Sequence, residues 1–138
     1  MNNSSRFEFD HQTRILFKYY YGLISVEAVK DSWTDAIKNK LIPDNVSGFV
    51  LDYREASFNF EISRLAEVAE FYVGNIDVFR NKRIAMVVEN TKDIVYPILF
   101  QNQNKGYVTQ TFSTMDAAIG WVLVNSCFQK SDAKELKY

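Results

Sequence analysis

Two continuous apolar runs, GFVLDY at 48–53 and RIAMVV at 83–88, constrain this chain more than any other feature. Short runs of this kind, bounded by turn-forming residues, read as strands buried on both sides, and such strands belong to parallel sheets covered by helices. The segments between them agree. VEAVKDSWTDAIKNKL places Val26, Val29, Trp33, Ala36, Ile37 and Lys40 at spacings of three and four, with Ser25 as N-cap and Glu27 in the first turn. Pro43, Asp44 and Gly48 break that pattern before the first run. Helical spacing returns from Ile62 through Leu65, Ala69, Tyr72 and Val73, and Gly74 with Asn75 interrupts it. After the second run, IVYPILF predicts a helix capped by Thr91, with Pro97 kinking it or confining it to a short piece. YVTQTF is a further strand. Ser113 and Asp116, three apart, form a capping box opening a helix with Ala117, Ala118, Trp121, Val122 and Val124.

At the start of the chain the period is two: Phe7 and Phe9, then Ile15, Phe17, Tyr19 and Tyr21, with the polar HQT between them. That predicts an opening hairpin. The order is therefore β-β-α-β-α-β-α-β-α, an α/β fold with a mixed sheet of about five strands and about four helices, its later strands parallel and its hairpin an antiparallel edge. The 138 residues are read as one domain, with a core over about 7–125 and a polar tail at 129–138.

Charge and cysteine content exclude several classes of function. Sixteen basic and seventeen acidic side chains are spread along the chain, so no footprint for a phosphate backbone exists and nucleic acid is not expected as a partner. No apolar run approaches the roughly 20 residues of a membrane span, and the first residues lack a secretory pattern, which places the protein in the cytoplasm. Cys127 is the lone cysteine and is read as a small apolar residue of the last helix. His11, the one histidine, falls in the hairpin turn, so no nucleophile-base pair or metal set is legible and the protein is read as a non-enzyme without cofactors. Five scattered glycines make no phosphate cradle.

The order of elements, together with RILFKYYYGLIS, FVLDYREASF, KRIAMVVEN and QTFSTMDAAIGWVL, resembles the STAS domain, in particular the small stand-alone SpoIIAA-like proteins of bacteria. The strings span about residues 7 to 125. The resemblance implies a STAS-like architecture that works by docking. In anti-anti-sigma members the central strand ends in an acid, and a following Asp-Ser-Ser-Gly motif carries the phosphoacceptor serine. Here Asp52 stands at the strand's acid and Ser63, within Glu61-Ile62-Ser63-Arg64, stands in the acceptor's place. Ile62 replaces the first serine and Arg64 replaces the glycine that lets a kinase backbone approach, so the resemblance implies a degenerate phosphoswitch. The competing reading of Ser63 is a solvent-facing helix residue.

Binding candidates come from the carboxyl ends of the parallel strands, where open α/β sheets receive ligands: Asp52, Tyr53 and Arg54, Glu89 and Asn90, Phe112 and Ser113. Asp52 and Arg54 otherwise form a local ion pair. In the expected loop from Arg54 to Phe60, Ser57 is a hydrogen-bonding residue, Phe60 tucks under the next helix, and Phe58 either tucks or stands proud as an anchor. The chain carries 11 Phe, 8 Tyr and 2 Trp, so a contact surface or core must be built from rings. With Phe17, Tyr19 and Tyr21 directed into a helix-covered core, Leu16, Lys18 and Tyr20 occupy the opposite face, which is either a docking surface or covered by a further helix. The resulting expectation is a non-catalytic interaction or regulatory module with a protein partner or self-association. The alternative is a carrier or sensor holding a lipid or other apolar small molecule beside the loop at 54–60.

Overall fold

The computed structural model describes residues 5–124; Cys127 and the polar stretch 129–138 lie outside them. The opening hairpin forms from β1 (Ser5–Asp10) and β2 (Ile15–Ile24), antiparallel, with Phe7 opposite Lys18 and Phe9 opposite Leu16. Asp10 fixes its turn by accepting from the Thr13 backbone N–H at 2.9 Å and the Thr13 hydroxyl at 2.6 Å. Helix α1 (Val26–Lys38) begins where Ser25 Oγ accepts from Ala28 N at 3.0 Å, as its spacing predicts. The strands β3 (Gly48–Phe58), β4 (Arg83–Val87) and β5 (Val108–Phe112) follow, each after a helical crossover and each parallel to its neighbour. The crossovers are α1, then α2 (Leu65–Gly74) with the short α3 (Ile76–Phe79), then α4 (Val95–Gln101). A last helix, α5, occupies 115–124.

The sheet order is β1-β2-β3-β4-β5, so the chain adds strands in one direction and never turns back. Right-handed crossovers that always step the same way lie on the same face, which puts α1 to α4 together. Only α5, which follows the edge strand and is not a crossover, is free to cover the other face.

Two cores result. Under α1 to α4 lie Leu16, Tyr20, Trp33, Phe49, Leu51, Tyr53, Tyr72 and Phe79. Trp33 is at the centre, fully buried, with the rings of Phe7, Phe49, Tyr72 and Phe79 edge-on at 5.1–6.2 Å. Under α5 lie Ile15, Val50, Ala85, Val87, Ala118 and Val122, mostly small and aliphatic. The approach there is close: a Cβ on Gly48 would meet Val122 Cγ1 at 2.5 Å and the Arg83 carbonyl at 3.0 Å.

This reverses the face expected for β2. Leu16, Lys18 and Tyr20 point into the four-helix core, while Ile15, Phe17 and Tyr19 share the other side with Val50 and Asp52. Both alternate rows of ILFKYYYG are apolar enough to face a core, and the charge on Lys18 does not mark the exposed one. A lysine stem is apolar, and here the whole side chain is buried, with Nζ donating to Ser32 Oγ at 2.5 Å and lying over the rings of Trp33 (4.1 Å), Tyr20 (4.5 Å) and Phe7 (5.2 Å).

Element ends also differ from the sequence reading. The expected loop from Arg54 to Phe60 is strand as far as Phe58, and the helix expected from Ile62 opens with a 3-10 turn at Ile62–Arg64. Helix α1 stops at Lys38, and Lys40 takes a left-handed φ of 57° in the loop beyond. The cap of α5 is Thr114, whose Oγ1 accepts from Ala117 N at 3.2 Å, rather than Ser113. Pro97 is the third residue of α4, in the first turn, where a missing N–H costs no helical bond and no kink is required. Thr91 does not cap that helix; the turn before it is held by Asn90 Oδ1, which accepts from Lys92 N at 2.9 Å.

Candidate functional site at the carboxyl edge of the sheet

β2 and β3 run past their neighbours. The last β3–β4 pair is Asp52 with Val87, and β1 begins opposite Tyr20, yet β2 and β3 stay paired to Ile24 and Phe58. Within this arm the register slips: Tyr19 pairs with Asp52 but Tyr21 with Glu55, so β3 carries one extra residue. Asp52 stabilises the bulge. Its carboxylate accepts from the Arg54 backbone N–H (3.0 Å), Nε (2.9 Å) and Nη2 (2.9 Å), and that pairing raises the Arg54 pKa further. The acid and base singled out in the sequence are thus spent on each other, as a local ion pair.

A second carboxylate anchors the arm. Asp93, buried after β4, accepts from Ser57 Oγ at 3.2 Å and from Phe58 N at 3.3 Å. Ser57 is therefore held in a fixed contact. Between the arm and α4 the rings interlock: Phe58 stacks on Tyr96 at 4.8 Å and meets Tyr53 at 4.7 Å, and Phe60 meets Tyr96 edge-on at 5.2 Å. Tyr96 Oη donates to the Phe60 carbonyl at 2.6 Å. Both phenylalanines tuck inward.

Beneath these rings is a cavity of about 30 Å³, bounded by Val29, Tyr53, Phe58, Phe60, Tyr72, Met86 and Phe100 among others. That is about the share of one water molecule, against the roughly 300–1,000 Å³ of ordinary ligand pockets. Outside the arm a shallow groove of about 330 Å³ runs past Gly22, Leu23, Arg54, Glu55, Ser57 and Asn90. Leu23 is 70% exposed there and follows Gly22, whose φ of 73° is in the left-handed region.

Ser63 is separate from both. It is exposed in the 3-10 turn before α2, and Arg64 beside it is drawn onto Glu67 (2.8 and 2.9 Å) and Glu27 of α1 (2.7 Å). The guanidinium holds both carboxyls below their ordinary range. Sequence reasoning missed Asp93, Tyr96 and Lys18. ENTKD showed only a polar turn, and no local pattern distinguishes a buried lysine from an exposed one. Among the described residues no group of three or more His, Cys, Asp or Glu is placed to hold a metal ion, and His11 is exposed beside the Phe9 ring. No helix among them is long and apolar enough to cross a membrane.

The architecture is SpoIIAA-like, a STAS fold. A crystal structure of an uncharacterized protein of the DUF3478 family from Shewanella loihica PV-4, described as having a SpoIIAA-like fold, matches over 88% of this chain and 98% of that one, with a TM-score of 0.58 and 13% identity. No family model matches the sequence, and no curated protein does.

Proposed function

We propose that this protein is a non-catalytic interaction module of the cytoplasm that docks a protein partner or a second copy of itself through the projecting β2–β3 arm. The observation that carries this reading is Leu23, a large apolar side chain 70% exposed near the tip of an arm that Asp93 and Tyr96 hold in place. A rigid arm presenting an apolar side chain loses little entropy on docking. The phosphoswitch of the STAS pattern is degenerate in this reading, since Arg64 occupies the glycine's place and is drawn onto Glu67 and Glu27. The test compares the full chain with Leu23→Asp by light scattering after size exclusion, and by affinity capture from the host. Loss of an oligomer or of a captured partner in the variant, with an unchanged melting temperature, is expected. Equal behaviour of the two proteins would remove the arm from the interaction.

A second reading, binding of an apolar small molecule, is favoured by the cavity between the arm and α2, because every residue around it is apolar or aromatic. At 30 Å³ it accepts such a molecule only if Phe58, Phe60 and Tyr96 swing outward.

A further inference from the structure

One row of β2 emerges from the core by degrees. Its odd-numbered side chains point to the α5 side of the sheet, and their exposure rises along the strand: Ile15 is fully buried, Phe17 and Tyr19 are half-buried, Tyr21 is 37% exposed and Leu23 70%. The core under α5 takes in Ile15 and Phe17, and from Tyr19 onward the row passes out to the surface. The strands on either side carry opposite charge at this level. On β1, Arg6 pairs with Tyr19 in the ladder; its guanidinium lies over the Tyr19 ring at 4.3 Å and donates from Nε to Tyr21 Oη at 2.7 Å. On β3, Glu55 stands opposite Tyr21 and is exposed. Among the described residues Glu55 forms no salt bridge, and that of Arg6 is with Glu8 at 3.3 Å, a pair open to solvent that contributes little. Arg54, also on β3, is already neutralised by Asp52, which leaves Glu55 as the uncompensated charge on that side. Rings flanked by an arginine are the composition of a contact surface.

This surface is complementary to itself. A two-fold axis lying between two copies and parallel to β2 sets one stripe on the other. Because β2 runs between β1 and β3, the same rotation sets the β1 side of each copy over the β3 side of its partner. Arg6 of one copy then faces Glu55 of the partner subunit, and the pair occurs twice. We infer that the occupant of the arm is a second copy of this chain, seated on Tyr19, Tyr21 and Leu23 in this two-fold arrangement and fixed in register by the reciprocal pairing of Arg6 with Glu55. This rests on the docking reading above and names the partner. Packed sheet faces lie about 10 Å apart, a gap that two layers of tyrosine and leucine side chains fill.

The experiment is sedimentation velocity of the full chain and of two variants, Arg6→Glu and Glu55→Arg, each alone and then mixed in equal amounts. Both side chains are exposed, so both variants fold, which circular dichroism checks. The wild type is expected to sediment as a dimer. Each variant alone sets like charges opposite each other at both pairs, and its self-association should weaken about a hundredfold. The mixture should recover the dimer, since a copy of one variant facing a copy of the other restores an acid and a base at both pairs. Single variants that dimerise like the wild type, or a mixture that stays monomeric while the wild type dimerises, would overturn the inference. A wild type that is monomeric up to about 1 mM would overturn it as well. In that case capture of another protein, lost in Leu23→Asp, would leave the docking reading standing, and capture unaffected by Leu23→Asp would remove that reading too.

Discussion

The two faces of the sheet are filled with different materials. Under α5 the residues are small and branched, Ile15, Val50, Ala85, Val87, Ala118 and Val122, and the backbone of Gly48 comes close enough to Val122 to leave no room for a methyl group. Under α1 to α4 the filling is large flat rings, which stack or meet edge to face around a small void, with the Lys18 amine buried among them and, among the described residues, no carboxylate beside it. Aliphatic side chains interdigitate to crystal-like density, whereas rings tile a volume imperfectly and bring polar atoms with them. The difference separates a face packed from small aliphatic groups from one built of rings around a small void.

Removing the central ring tests this most severely. Trp33→Ala is expected to lower stability by about 3–5 kcal/mol, read as a shifted urea midpoint, because four rings lose their common neighbour. Lys18→Met is expected to act in the opposite direction, raising stability near neutral pH by about 1–4 kcal/mol, since an unpaired buried amine gives way to an isosteric apolar chain. Its pH dependence sharpens the point. Burial pushes the Lys18 ammonium well below its ordinary 10.5, so between that lowered value and 10.5 the unfolded chain holds a proton that the folded chain does not, and wild-type stability climbs with pH through that window. Buried Tyr20 and Tyr72, pushed above 10, oppose the climb only as the unfolded chain begins to lose phenolic protons, so the slope is measured below about pH 9. Lys18→Met should flatten it; an unchanged slope would mean that Lys18 is paired in solution. The smallest expected effect is on the other face, where Gly48→Ala should cost about 1–3 kcal/mol by overpacking. A neutral outcome there would show that α5 moves aside easily and that the two faces are less different than their packing.

Much of the fold was legible in the sequence because it rests on period. The apolar runs at 48–53 and 83–88 and the three-four spacing from Val26 survive as β3, β4 and α1, and the Ser25 cap is where its residue type places it. What could not be read depends on contacts across the sheet. The face of β2 is set by which alternate row meets Trp33, and both rows of ILFKYYYG are apolar enough to serve. The arm was hidden because Arg54, Glu55 and Ser57 look like loop residues until the bulge, Asp52 and Asp93 are in place. Asp52 with Arg54 was recognised as either a site or an ion pair, and geometry alone decides for the pair. The tucked positions of Phe58 and Phe60 follow from Tyr96, which lies 36 residues from Phe60 and carries no sequence mark of its role.

The one-way order of the strands also governs how the protein is made. Each of α1 to α4 emerges from the ribosome between two strands and can settle on its face as synthesis proceeds, but the surface formed by Ile15, Val50 and Ala85 has no cover until residues 115–124 have left the exit tunnel. A nascent chain with four of its strands already released still displays a bare apolar sheet face, the kind of surface that aggregates before folding is complete.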